Sequence, residues 1–183
     1  MSPLVNAANQ ILSLLTIAAQ IGIAIFLAAL LSDQGAMQKL LRFVSKNALL
    51  LSLIVAFTAT LGSLFYSEIA GFVPCKLCWF QRIFMYPQAI LFAIALWKND
   101  KHVNTYGIAL SGVGAFIAGY HYLLQREIVP SLPCSAVGYS PSCSQVFVLN
   151  FDYITIPLMA FTAFLSLLVL QIAIKRNKTT VAS

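Results

Sequence analysis

"ALLLSLIVAFTATLGSLFY", residues 48–66, runs for nineteen positions without one charged side chain. An α-helix rises about 1.5 Å per residue, so roughly 20 such residues cross the hydrocarbon core of a bilayer. Four further segments meet that length: 11–31, 79–97, 106–124 and 154–174. The first and last of these are also free of charge, 79–97 contains only Arg82, and 106–124 only the titratable His121. Composition agrees. The 183-residue chain is 60% hydrophobic and 9% charged, with a mean hydropathy of +0.88, whereas a soluble domain carries about 25% charge. A protein core cannot absorb this much apolar surface, so lipid must cover much of it. The predicted fold is an all-α integral membrane bundle with five spans.

Eight of the eleven Lys and Arg residues belong to one side of such a bundle. They are Lys39, Arg42 and Lys46 in 32–47, Lys98 and Lys101 in 98–105, and Lys175, Arg176 and Lys178 in the tail. Only Lys76 and Arg126 fall on the other side, and Arg82 lies within a span. Basic residues concentrate on the cytoplasmic side of a membrane. The chain is therefore expected to run N-out/C-in, with loops 67–78 and 125–153 outside. Residues 1–31 do not fit a cleaved signal peptide: nothing basic precedes the apolar run, the run is too long, and no A-x-A-like site is evident. The net charge of +6 suits topology and anionic headgroups. With no dense basic run or helix, no nucleic-acid partner is expected.

All four cysteines, Cys75, Cys78, Cys134 and Cys143, fall in the outward loops or at their edge. Disulfides form and persist in an extracytoplasmic compartment. Structural bridges are one reading. A Cys₄ zinc site is another, since C-x-x-C offers two ligands, but Cys134 and Cys143 are spaced more loosely than a zinc knuckle. Haem attachment needs C-x-x-C-H, and Trp79 stands where the histidine would be. Thiol–disulfide exchange is the favoured option. The short C-x-x-C spacing closes a strained, labile ring, and Cys78 opens a span, where free N–H groups and the helix dipole stabilise a thiolate. Arg82 shares that helix face about 6 Å deeper. Its guanidinium stays protonated, so it either snorkels to headgroups or faces inward to stabilise an anion formed during turnover.

The stretch Pro74-Cys75-Lys76-Leu77-Cys78-Trp79-Phe80-Gln81-Arg82 resembles the active-site signature of the DsbB family of bacterial disulfide-bond formation proteins. Its continuation Ile83-Phe84-Met85-Tyr86-Pro87, with YHYLLQ (120–125) and ITIPLMAFTAF (154–164), resembles the BdbC-type branch. The likeness runs from about residue 48 to 174. It implies a four-helix redox bundle, here with an extra N-terminal helix, acting as a thiol oxidase that supports disulfide formation in exported proteins. The implied location is the bacterial cytoplasmic membrane. By that resemblance Cys75 and Cys78 pass electrons to a membrane quinone, ubiquinone or menaquinone, with Cys78 against the ring and Arg82 holding it. Cys134 would take the mixed disulfide with a DsbA-like or BdbD-like thioredoxin-fold protein, and Cys143 would then exchange with Cys75.

The chain departs from the family pattern in its extra helix and in the closeness of the second cysteine pair. The latter leaves open how far Cys143 must travel to reach Cys75. The expected division is 1–47, the extra span with an amphipathic connection; 48–174, the redox bundle; and 175–183, a basic tail. Vitamin K epoxide reductase-like enzymes also combine a helix bundle, a C-x-x-C and a loop pair, but there the loop pair comes first in the chain. A non-enzymatic membrane protein with structural bridges is the other alternative.

The residues also point to a quinone without the resemblance. The spans hold no haem-ligand pair and no nucleotide-binding glycine loop, and a lipid-soluble acceptor needs only an apolar crevice beside the thiols. No metal is expected. His121, at a depth similar to Arg82, is a candidate lining residue, although between Tyr120 and Tyr122 it also reads as interfacial. Ser111, Ala115 and Gly119 form a small-residue stripe suited to helix packing. Pro87 either kinks the third span or is merely tolerated there. Tyr66 and Trp79 outside, and Trp97 and Tyr106 inside, read as aromatic belts. Residues 37–46 read as a short amphipathic surface helix, and 144–153 as a segment dipping into the interface to tether the cysteine loop. The sequon at Asn177 lies on the cytoplasmic tail and reads as chance.

Overall fold

The computed structural model describes residues 3–31, 35–98, 100, 102–129 and 142–181, with side chains as far as residue 174. Its helices are α1 (Pro3–Leu31), α2 (Gly35–Leu64), α3 (Lys76–Lys98), α4 (Val103–Gln125) and α5 (Ile156–Val181), and a π-helical turn (Phe65–Ile69) extends α2. All five are long and apolar enough to cross a membrane. No strand occurs among the described residues. The five expected spans are all present.

Helices α2 to α5 form a ring in which α2 packs on α3, α3 on α4, α4 on α5, and α5 back on α2. Helix α1 lies outside this ring, against α5 and α2. The ring's interior is filled by Phe92, Phe164, Leu167 and Met85. Helix α4 can approach so closely because it is small along one side. A Cβ on Gly107 would stand 3.1 Å from the Phe92 ring, one on Gly119 3.2 Å from Phe161, and one on Gly114 would overlap Phe164. Buried amides tie the ring across its seams: Ser111 Oγ donates to Gln88 Oε1 (2.8 Å), and Gln171 Nε2 to Ser52 Oγ (2.8 Å). In lipid, such bonds hold helices that lack a hydrophobic drive to associate.

Two expectations change. Residues 37–46 are not a separate surface helix but the first turns of α2. At 30 residues, α2 is about 45 Å long, well beyond a hydrocarbon core of about 30 Å, so its basic end reaches past the apolar zone without a break. The basic tail likewise continues α5 as helix to Val181. Tyr66 is not a belt residue. It is 5% exposed, turned inward within the π-helical turn, with its ring stacked on Phe72 (5.8 Å) and Phe72 stacked in turn on Phe147 (5.0 Å). Trp79, Trp97 and Tyr106 are exposed as belt residues should be. Helix α3 runs on through Pro87.

The segment before α5 is folded down onto the bundle. Asn150 and Ile154 form an antiparallel bridge around Phe151 and Asp152, both with left-handed φ (52° and 61°). Gln125 Nε2 donates to the Gln145 carbonyl (2.9 Å) and Arg126 Nη1 to that of Asp152 (3.2 Å). Asn150 Nδ2 reaches α1, donating to Ser13 Oγ (2.8 Å) and the Asn9 carbonyl (3.1 Å).

Candidate active site

Cys75 stands immediately before α3, and its carbonyl accepts the Trp79 N–H (3.1 Å), which places Cys78 in the first helical turn. A three-residue step across that turn brings the two sulfurs together. Cys75 Sγ lies 3.2 Å from Cys78 Sγ and donates to it. This hydrogen bond, and then burial, push the Cys75 thiol up to about 12. Cys75 is 3% exposed, whereas Cys78 is only half-buried.

His121 comes from the C-terminal end of α4 and is 1% exposed. The interfacial reading of this residue is therefore corrected: α4 turns it inward, where its Nε2 is 3.7 Å from Cys75 Sγ and 3.0 Å from the Cys143 carbonyl oxygen. Gln81 Nε2 donates to the other ring nitrogen, Nδ1 (2.9 Å). With Gln81 donating there, the ring proton sits on Nε2 and points at Cys75 and Cys143. Cys143 is 1% exposed and packs in one buried cluster with Cys75 and Leu124. Cys134 lies outside the described residues. The donor atoms of Cys75, Cys78 and His121 all fall within 4.8 Å of one another, so in the reduced state they could together hold a soft divalent ion.

Arg82 is half-buried and bonded to α2. Its Nε donates to Ser63 Oγ (3.0 Å) and its Nη2 to the Ser63 carbonyl (3.2 Å), while Tyr86 OH donates to the same Ser63 Oγ (3.1 Å). The guanidinium lies 5.2 Å over the Trp79 ring, a cation–π contact that offsets part of the cost of its depth. Cys78 and Arg82 line one apolar crevice of about 310 Å³ whose other walls come from α1, α2 and α5 and from Phe72 and Phe147 in the connecting segments. That volume is within the range of ligand cavities.

These residues occupy a stretch with close counterparts elsewhere. The sequence profile described as "Disulfide bond formation protein DsbB" matches residues 45–174. The chain belongs to the DsbB family. Among similar proteins, "Probable disulfide formation protein" of Oceanobacillus iheyensis is 41% identical over 134 residues, covering 73% of this chain and 92% of that protein. "Disulfide bond formation protein C" of Bacillus subtilis is 41% identical over 132 residues, covering 70% and 92%. A "Probable disulfide formation protein" of Metapseudomonas resinovorans is 41% identical over 135 residues, covering 73% and 92%. No solved structure matches the chain significantly. This DsbB-family chain is thus a multi-pass membrane protein of disulfide bond formation.

Of the residues singled out from sequence, Cys75, Cys78, Cys143, Arg82 and His121 meet at one end of the DsbB-type bundle. Sequence reasoning missed Gln81, Ser63 and Tyr86. A signal existed for Gln81, because it follows Cys78 by three positions, which is the same helix face. A polar side chain within a span is a functional candidate by default.

Proposed function

We propose that this DsbB-family protein is a quinone-coupled thiol oxidase of the bacterial cytoplasmic membrane, with its cysteine loops on the extracytoplasmic side. It reoxidises a thioredoxin-fold dithiol protein and delivers the electrons to the membrane quinone pool. The observation that carries this reading is the shared crevice. Cys78 and Arg82 face one apolar cavity that opens among helices long enough to span lipid.

The exchange balances as follows. A thiolate of the partner attacks the Cys134–Cys143 disulfide at Cys134, and the partner's second thiol then releases its own disulfide, leaving Cys134 and Cys143 reduced. Cys143, already in the buried cluster beside Cys75, attacks the Cys75–Cys78 disulfide at Cys75 and frees Cys78 as the thiolate. Attack by Cys134 on Cys143 closes the loop disulfide again and leaves Cys75 and Cys78 as the dithiol. A bound quinone accepts the two electrons and two protons of that dithiol, and the Cys75–Cys78 disulfide reforms.

The chain's own groups suit these steps. His121 holds an N–H towards the Cys75 sulfur and the Cys143 backbone, so the atoms that must exchange are kept in register. Gln81 holds that imidazole in place. Arg82 spends two N–H groups on Ser63 and keeps others, which can bind a carbonyl oxygen and stabilise negative charge on it. The α3 amino end supports the Cys78 thiolate.

The test is anaerobic quinone reduction by purified protein supplied with a reduced thioredoxin-fold substrate. Cys78→Ser should abolish it. Arg82→Ala should raise the KM for quinone by roughly ten- to a hundredfold, the equivalent of losing a charge-assisted hydrogen bond of about 1.5–3 kcal/mol. Undiminished turnover in Cys78→Ser would overturn the reading.

A further inference from the structure

The family match begins at residue 45, so α1 stands outside it, yet α1 reaches the crevice. Leu12, Leu15, Thr16 and Ala19 line the same cavity as Cys78 and Arg82. Their spacing of three, one and three residues is that of a single helix face. Thr16 Oγ1 is spent on the Leu12 carbonyl (2.8 Å), so this wall presents hydrocarbon and no free polar group.

The wall is fixed in place rather than loosely anchored. Asn9, Ser13, Thr16 and Gln20 form a second stripe, stepped by four, three and four residues, and its ends are bonded to the bundle. Asn150 Nδ2 holds Ser13 and the Asn9 carbonyl. Gln20 Nε2 donates to Thr162 Oγ1 of α5 (3.2 Å), and Tyr153 OH donates to Gln20 Oε1 (3.1 Å). Bonds of this kind set the rotation of a helix in lipid. Close contact with α2 adds to them, since a Cβ on Gly62 would stand 3.4 Å from Leu12 Cδ2.

The cavity is also long. On α2 its lining extends from Ser63, beside Arg82, to Ile54, a run of about 13 Å along the axis. An aromatic head at Cys78 and Arg82 fills only one end of such a length. We infer that α1 completes a binding site for the isoprenoid tail of the acceptor, with Leu12, Leu15, Thr16 and Ala19 as its outer wall, so that tailed quinones are preferred over their bare heads. This inference rests on the quinone reading proposed above.

The experiment compares a long-tailed menaquinone with menadione, which shares its naphthoquinone head but has no tail. Wild-type protein and Ala19→Trp are assayed, with Leu14→Trp on the lipid-facing side of α1 (58% exposed) as control. Filling the wall should raise the KM for the tailed quinone relative to menadione by about tenfold, and Leu14→Trp should leave that ratio alone. An unchanged ratio in Ala19→Trp overturns the inference, as a lipid acyl chain in the cavity would produce. Failure of wild-type protein to reduce either acceptor defeats the quinone reading itself. To separate filling of the wall from displacement of α1 by tryptophan, a menaquinone carrying a diazirine on its tail is also cross-linked to unaltered protein. Adducts within residues 12–19 support the inference, and adducts confined to α2–α5 overturn it.

Discussion

At the scale of single residues, the centre depends on an asymmetry between two cysteines three positions apart. Cys75 is buried and donates its proton to Cys78, which raises its own thiol to about 12, against about 8.5 for a free cysteine. The sign of the effect gives a test. In reduced protein Cys75 should alkylate slowly at pH 8, and its rate should keep climbing towards pH 12. Removing the acceptor in Cys78→Ala deletes the first cause, so the Cys75 thiol falls towards its ordinary value and alkylation at pH 8 speeds up, as residue-resolved mass spectrometry can read. Equal rates in both proteins contradict the asymmetry. Cys75, Cys78 and Arg82 were legible because they stand at three- and four-residue steps where α3 begins, and such spacing determines direction. The place of His121 was not, since its partners Cys75 and Gln81 lie forty or more positions away in sequence and only the packing of α4 against α3 brings them together.

At the scale of elements, helix existence was readable and helix ends were not. Charge-free length determines a span, but nothing in residues 37–46 marks a break, and α2 simply continues through them. Tyr66 was misplaced for a related reason: the π-helical turn adds a residue to the local period and swings the ring inward. The small side of α4 was visible as Ser111, Ala115 and Gly119, although the tightest approach is at Gly114, against Phe164. Gly114→Ala should destabilise the bundle by about 1–3 kcal/mol through overpacking, measured by unfolding in detergent. Gly112→Ala, where a Cβ meets nothing within 4 Å, should be close to neutral. Equal effects at the two positions would count against the α4–α5 contact. The role of α1 was the least legible feature. Its crevice-lining face, Leu12 to Ala19, is as apolar as a lipid-facing one, and only the polar stripe from Asn9 to Gln20 hinted that the helix is packed.

At the scale of the whole molecule, the proposal needs one topology: cysteine loops outside, basic ends inside. Eight of eleven basic residues favour it, and Cys75, Cys143 and His121 meet at the opposite end of the bundle. In a cysteine-free background, Glu68→Cys should react with a membrane-impermeant maleimide on intact cells, and Lys39→Cys only after lysis. The reverse pattern would place the centre in the cytoplasm and remove its oxidising compartment. Composition and spacing alone located this centre at one end of a bundle, because sulfur and arginine are conspicuous in an apolar chain. They did not reveal the crevice, because a cavity is made by several helices and belongs to none of their sequences. The most direct test of the central claim is an anaerobic titration of fully reduced protein with membrane quinone, counting free thiols and quinol together. The account predicts one pair of thiols lost for each quinol formed, with none lost in Cys78→Ser. Thiols that stay free while the quinone stays oxidised would contradict it.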